Sequence, residues 1–301
     1  MTTVNTAVVA GTELPATRRL TGVLRSRRLT VGLGILGFFV LLGVFGPLFV
    51  HGASTFSGLK YSPPSGAHPL GTTQTGQDVF AQLVISTRAS LAIGAAAGAL
   101  ATIISVAIGI TGGYVGGWLD EALSLVSNVV LVIPTLPLVI VVSAFLKTSG
   151  VLSVVLIIAL TSWAASARVL RAQTLSVRSR DYVLATKSSG ERGWRIVFVE
   201  ILPNELPIIV SQLIFAMVFA ILTQASLAFL GLGDVNLMTW GNMLYRANND
   251  EALQGGAWWY FVPPGLCIAL VGMGLALVNF GLDEVLNPKL RVYRPTKRAR
   301  S

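Results

Sequence analysis

Bond-making chemistry needs a nucleophile beside a base, or several metal ligands at close spacing. This chain offers little of either. Its two histidines, His51 and His68, fall in one polar segment, and its single cysteine, Cys267, lies in an apolar run. His68 precedes Pro69 in a turn-rich stretch, so both histidines read as loop residues rather than nickel ligands. With no base near a buried Ser or Cys and no His/Asp/Glu cluster, an intramembrane hydrolase and a metalloenzyme are both disfavoured. No GxxxxGK[ST] loop occurs, which removes the usual cradle for ATP phosphates.

The residues that could do work instead are concentrated in DYVLATKSSGERGWRIVFVEILPNELP, residues 181–207. Asp181 is a good N-cap, Lys187 complements the dipole of a last turn, and Gly190 suits the position just past a helix end. These predict a helix of about eight residues, roughly 12 Å long at 1.5 Å per residue. Helices shorter than about 12 residues are marginal on their own, so other parts must hold this one. Arg192, Trp194 and Arg195 begin a second amphipathic piece that returns to the bilayer. Pro203 is expected to break that piece. Pro207 would then sit in the first turn of the next span, with Asn204 or Glu205 as its cap.

The elements around this segment must be membrane helices. Of 301 residues 53% are hydrophobic and only 12% charged, where a soluble domain needs about 25% charged. Six runs are long enough for a bilayer core, which takes about 20 apolar residues: 29–50, 89–119, 122–146, 148–167, 206–233 and 252–282. Lipid offers no hydrogen bonds, so each run is predicted to be helical, giving an all-α transmembrane fold. Gly94 with Gly98, and Gly109 with Gly113, are spaced for close helix contact.

Lys and Arg set the orientation. Five precede the first run, seven lie between the fourth and fifth, and six follow the last; only Lys60, Arg88, Lys147 and Arg246 fall in the alternate loops. Both termini and the 181–207 stretch are therefore expected in the cytoplasm. The net charge of +9 is explained by this sorting and by anionic headgroups, without nucleic acid. The first run exceeds a signal-peptide core and contains Pro47, so it reads as an uncleaved span. The expected layout is a basic tail at 1–28, a membrane domain at 29–290 and a second basic tail at 291–301. Within the domain fall an external loop at 51–88, a cytoplasmic segment at 168–205 and a second external loop at 234–258. In the first loop, Val79, Phe80, Leu83 and Val84 form an apolar stripe, predicted to lie on the outer membrane surface before turning into span two. In the second, Trp258, Trp259 and Tyr260 read as an interfacial anchor.

Ala185, Gly190, Ile201, Leu202 and Pro203 are spaced as in the cytoplasmic coupling motif of ATP-binding cassette (ABC) importer permeases, which this stretch resembles. The acidic residue usual to that motif is Leu184 here. HPLGTTQTGQDVFAQLVISTRASL, VIPTLPLVI, ASLAFLGLG with TWGNML, and WWYFVPPG running into FGLDEVLNPKLR add to the resemblance. Together, from about residue 24 to 291, they are similar to the second, C-type permease subunit of dipeptide, oligopeptide and nickel ABC importers. The resemblance implies the six-helix type I importer permease fold with a cytoplasmic coupling helix, in a prokaryotic plasma membrane. It implies three kinds of partner besides lipid: a second permease, ATP-binding subunits that carry ATP and Mg, and an extracytoplasmic binding protein. No cofactor would be bound by this chain itself.

With no ATP loop and no carboxylate, Lys, Arg or His near the middle of any run, an ion-coupled secondary transporter is disfavoured, and energy is expected through the short helix. Tyr182, Val183, Ala185, Thr186, Lys187 and Gly190 are its expected docking residues, with Tyr182, Val183 and Ala185 as the buried side; Trp194, Ile201, Leu202 and Pro203 support the motif. Ser124, Ser127, Asn128, Gln224 and Ser226 are candidates for the lining of the route, although polar residues in spans more often bond a neighbouring helix. Peptide is the favoured cargo, with nickel or another small solute as the alternative.

Overall fold

The computed structural model describes residues 26–50, 56, 59–146, 150–232 and 234–286. The tails, His51 and most of the 147–150 connection lie outside the described residues. Nine helices follow in order among the described residues. They are α1 (Arg27–Phe49), α2 (Val79–Val115), α3 (Gly117–Val132), α4 (Thr135–Leu146), α5 (Val151–Arg178), α6 (Asp181–Ser188), α7 (Gly193–Phe229), α8 (Trp240–Asn249) and α9 (Trp258–Leu286). There is no strand among them, only a single bridge between Thr72 and Asp78. Five helices, α1, α2, α5, α7 and α9, are each long and apolar enough to span a bilayer. The sixth span is the pair α3 and α4, which qualifies only jointly and bends by 90°.

That bend corrects the expectation of one straight helix at 122–146. Pro134 has no N–H to donate, and the residue before a proline is driven out of the helical region. Ile133 is accordingly extended, with φ −75° and ψ 124°.

Two further expectations change. The 79–84 stripe does not turn on a surface: it is the first turn and a half of α2, a single helix of 37 residues. At 1.5 Å per residue this helix measures about 55 Å, far more than the roughly 30 Å hydrocarbon core. Asp78, not yet helical, accepts from the Ala81 N–H and fixes its start, and Val79 and Val84 are buried. Nor does Pro203 break the returning piece. Helix α7 runs through it, because residues 196–201 adopt the wider π-helical winding and the Asn204 amide donates to the Glu200 carbonyl at 2.6 Å. Pro203 falls in the turn just after this wider winding, where a shifted hydrogen-bond register tolerates a residue without an N–H.

Helix α2 is the spine of the bundle. A Cβ added at Gly94 would meet Ile221 and one at Gly98 the backbone of Met217, both on α7; at Gly109 and Gly113 it would meet α5 at Ala167 and Thr174. Both glycine pairs therefore bring backbones together as their spacing implied. Helix α1 closes onto α9 through Gly32 and Gly281 in the same way. Helix α8 wedges beside them, its fully buried Trp240 stacked edge-on to Phe39 at 5.7 Å, with the Trp240 backbone N–H donating to the Ser90 hydroxyl. The segment before α2 is strapped to the start of α9, where the Trp259 indole N–H donates to the Thr72 carbonyl at 3.3 Å, and to the end of α8, where Tyr61 donates to the Asp250 carbonyl.

Candidate functional site

Helix α6 is held from behind. Val183, 2% exposed, packs with Val177 of α5, Ile196 and Ile201 of α7 and Ile110 of α2. The eight-residue helix, too short to stand alone, is therefore seated on three spanning helices at once. Val183 faces this chain, which corrects its expected place on the docking side. The outward face carries Tyr182, Leu184 and Ala185, with Thr186 half-buried and Lys187 exposed. Leu184 was not among the expected docking residues, yet it is nearly half exposed at 47%.

The ends of α6 follow the sequence closely. The cap itself is a correction: Arg180, extended, and not Asp181, is the N-cap, and Asp181 is the first helical residue, where its charge suits the dipole without capping it. Gly190 sits at φ +80°, the left-handed conformation that favours glycine. Its N–H donates to the Lys187 carbonyl, while the Ser189 N–H and hydroxyl both donate to Ala185. Trp194 is exposed, Leu202 half-buried and Pro203 exposed, so of the four motif residues Ile201 alone is buried as an anchor. Replacing Val183 with alanine should cost about 2 kcal/mol of local packing. Exchange of the α6 amides should then quicken roughly 30-fold in hydrogen–deuterium measurements, with the spanning helices unaffected.

The rear support has three parts that local reading missed. Arg171 of α5 makes a two-pronged ion pair with Asp120 of α3, its Nη2 at 2.7 Å from Oδ2. Arg178 donates to the Gly113 carbonyl at 2.8 Å and so ties the end of α5 to the end of α2. Glu205 of α7, a cap candidate in the sequence, is instead fully buried beside Thr174 of α5. The first two join residues some fifty or more positions apart, and a pattern along one helix cannot show such a pair.

Two cavities follow one another between α3/α4 and α5. The first, about 190 Å³, is lined by Ser124, Ser127, Asn128, Ala167, Arg168 and Arg171 among others. The second, about 280 Å³, is lined by Thr135, Ser162, Ser166, Gln212, Phe215 and Phe219 among others. The structure thus gathers three of the five polar candidates in one cavity and leaves two elsewhere. Gln224 is buried and donates to Thr239 at 3.0 Å, and Ser226 returns its hydroxyl to the Leu222 carbonyl of its own helix. His68 pairs with Asp78 at 2.7 Å, and among the described residues no group of three possible metal ligands occurs. Cargo uptake by a His68→Asn variant is expected to stay within twofold of wild type in a metal-depleted transport assay.

A bundle of long apolar helices with a short helix seated on its end defines a multi-span membrane protein. Comparison with known proteins agrees: residues 105–292 match the family described as binding-protein-dependent transport system inner membrane component. The chain belongs to that family, the permease subunits of ABC importers, and has its type I fold. It is 34% identical over 272 residues to the oligopeptide transport system permease protein OppC of Bacillus subtilis, covering 89% of this chain and 88% of that one. It is 32% identical over 264 residues to the dipeptide transport system permease protein DppC of Alkalihalophilus pseudofirmus, covering 87% and 86%. The glutathione transport system permease protein GsiD of Pectobacterium atrosepticum is 35% identical over 229 residues, covering 76% and 75%.

Proposed function

We propose that this chain forms half of the translocation pathway of a peptide importer, powered through α6 by ATP-binding subunits. One observation carries the reading: a helix of only eight residues is locked from behind by three spanning helices and turns Tyr182, Leu184 and Ala185 outward. A rigid element with an apolar outer face is what a second protein can push against. Leu184 makes that contact apolar where the related motif carries an acid. Closure of an ATPase pair would move α6 and, through Val183, the cytoplasmic ends of α2, α5 and α7 together, a rigid-body switch of access.

The remaining parts follow from this role. A similar permease supplies the other half of the route, an extracytoplasmic binding protein delivers the cargo, and ATP and Mg stay on the partner subunits, so this chain is a transport subunit and not an enzyme. Both termini and α6 face the cytoplasm of a prokaryotic cell, in line with the distribution of Lys and Arg. The relatives named for dipeptides, oligopeptides and glutathione support peptide as the cargo class.

Reconstitution in liposomes tests this. Uptake of labelled peptide should require both permeases, the ATPases, the binding protein and internal ATP, and omission of any one should abolish it. Uptake by this chain alone under an ion gradient would overturn the reading.

A further inference from the structure

The cavity between α2, α3 and α5 holds more charge than a packing defect would. Arg171 is spoken for, since Asp120 takes both prongs of its guanidinium. Ser124 leans on the same carboxylate at 3.4 Å, and Ser127 donates to the Leu123 carbonyl at 2.8 Å. Two donors remain. Arg168 is exposed and, among the described residues, bonds only the side-chain Oδ1 of Asn128, through one arm of its fork. That bond also fixes the Asn128 amide, whose NH2 group has no partner among the described residues. With the Asp120–Arg171 pair neutral, the residues lining the cavity carry one net positive charge, on Arg168, beside the Asn128 amide.

We propose that this cavity receives the terminal carboxylate of the passing peptide, an inference that rests on the chain being half of a peptide importer. The side chains of peptides vary, but every unmodified peptide ends in one carboxylate. A planar guanidinium fork matches that group with two parallel hydrogen bonds. The second cavity continues along the same seam, since Leu131 lies one turn beyond Ser127 on α3 and Ala164 one turn from Arg168 on α5. There Gln212 can meet a neutral peptide amide, and Phe215 and Phe219 give apolar contact to side chains of any kind. The only carboxylate among the residues of the first cavity or paired with them is Asp120, already neutralised, so a peptide ammonium finds no counterpart there. The groove therefore reads one end of the cargo: the carboxylate sits at the Arg168 end and the chain trails into the second cavity.

The test uses the complete reconstituted complex and one tripeptide in two forms, free acid and C-terminal amide, chosen so that both saturate the binding protein. Wild type should move the acid at least fivefold faster than the amide. Arg168→Gln should bring the ratio to about one. Arg168→Lys and Asn128→Ala should narrow it without erasing it, and they keep the test open if the glutamine variant assembles poorly. A ratio near one in wild type, or an unchanged ratio in Arg168→Gln, overturns the proposal. So does an anionic phospholipid that copurifies with wild type and is lost from Arg168→Gln while the ratio holds, because the pocket would then belong to a lipid headgroup. If wild type moves neither form, the peptide reading itself fails and this inference falls with it.

Discussion

Replacing Tyr182 and Leu184 together with aspartate should leave a chain that inserts and folds normally but no longer transports. Neither side chain belongs to the buried cluster under α6, and they are 39% and 47% exposed, so the free subunit loses little internal packing. In the assembled importer the same atoms would be the apolar centre of the contact. Truncating a central residue of an interface costs about 2 kcal/mol or more, and a carboxylate in its place adds desolvation. Two such changes amount to about 4 kcal/mol, close to a thousandfold in affinity. Retention of the ATPases on the purified permease pair should fall accordingly, and ATP-driven uptake should fall at least tenfold. The Tyr182→Phe variant, which keeps the ring, should transport normally.

The second large effect concerns the spine. A Cβ at Gly109 would lie 2.6 Å from the Ala167 carbonyl oxygen, and one at Gly98 would lie 2.8 Å from the Met217 Cα and N. These neighbours are backbone atoms and cannot swing aside, so α2 must part from α5 and from α7. Overpacking of this kind costs about 1–3 kcal/mol per site. The Gly98→Ala/Gly109→Ala double variant thus stands to lose about 2–6 kcal/mol, a large part of the 5–15 kcal/mol that holds a typical domain. Its thermal midpoint in detergent should drop well below that of wild type, and the yield of monodisperse protein should collapse. Alanine at Gly34, which has nothing within 4 Å, should change neither.

Much of this architecture was legible because lipid imposes simple rules. Long uncharged runs must be helices, and Gly94, Gly98, Gly109 and Gly113 announced close contacts that the packing uses. The bend between α3 and α4 was not read, although Pro134 signalled it, because hydropathy does not register a turn of direction within an apolar run. The continuity of α7 was missed for the opposite reason. Pro203 is a strong local stop signal, but it follows directly on the wider winding at 196–201, and the helix continues through it.

The short helix was half legible. Its limits followed from Asp181, Lys187 and Gly190. Its faces did not, because Tyr182, Val183 and Leu184 are consecutive apolar residues that point three ways around an eight-residue helix. Packing on Val177, Ile196 and Ile201 then decides which one turns inward. The cavity residues show the same limit. Ser124, Ser127 and Asn128 are visible as polar positions within one run, but Arg168 and Arg171, some forty residues on, give them a charge to work with. Gln224 looked similar in the sequence and is spent on Thr239.

The most direct test places a photocrosslinking amino acid at Tyr182 and, separately, at Val183, in the complete complex during ATP turnover. The driven-helix account predicts that the probe at 182 captures an ATP-binding subunit and that the probe at 183 captures only segments of this chain. A probe at 182 that captures no ATP-binding subunit, while the complex hydrolyses ATP and moves cargo, would contradict it.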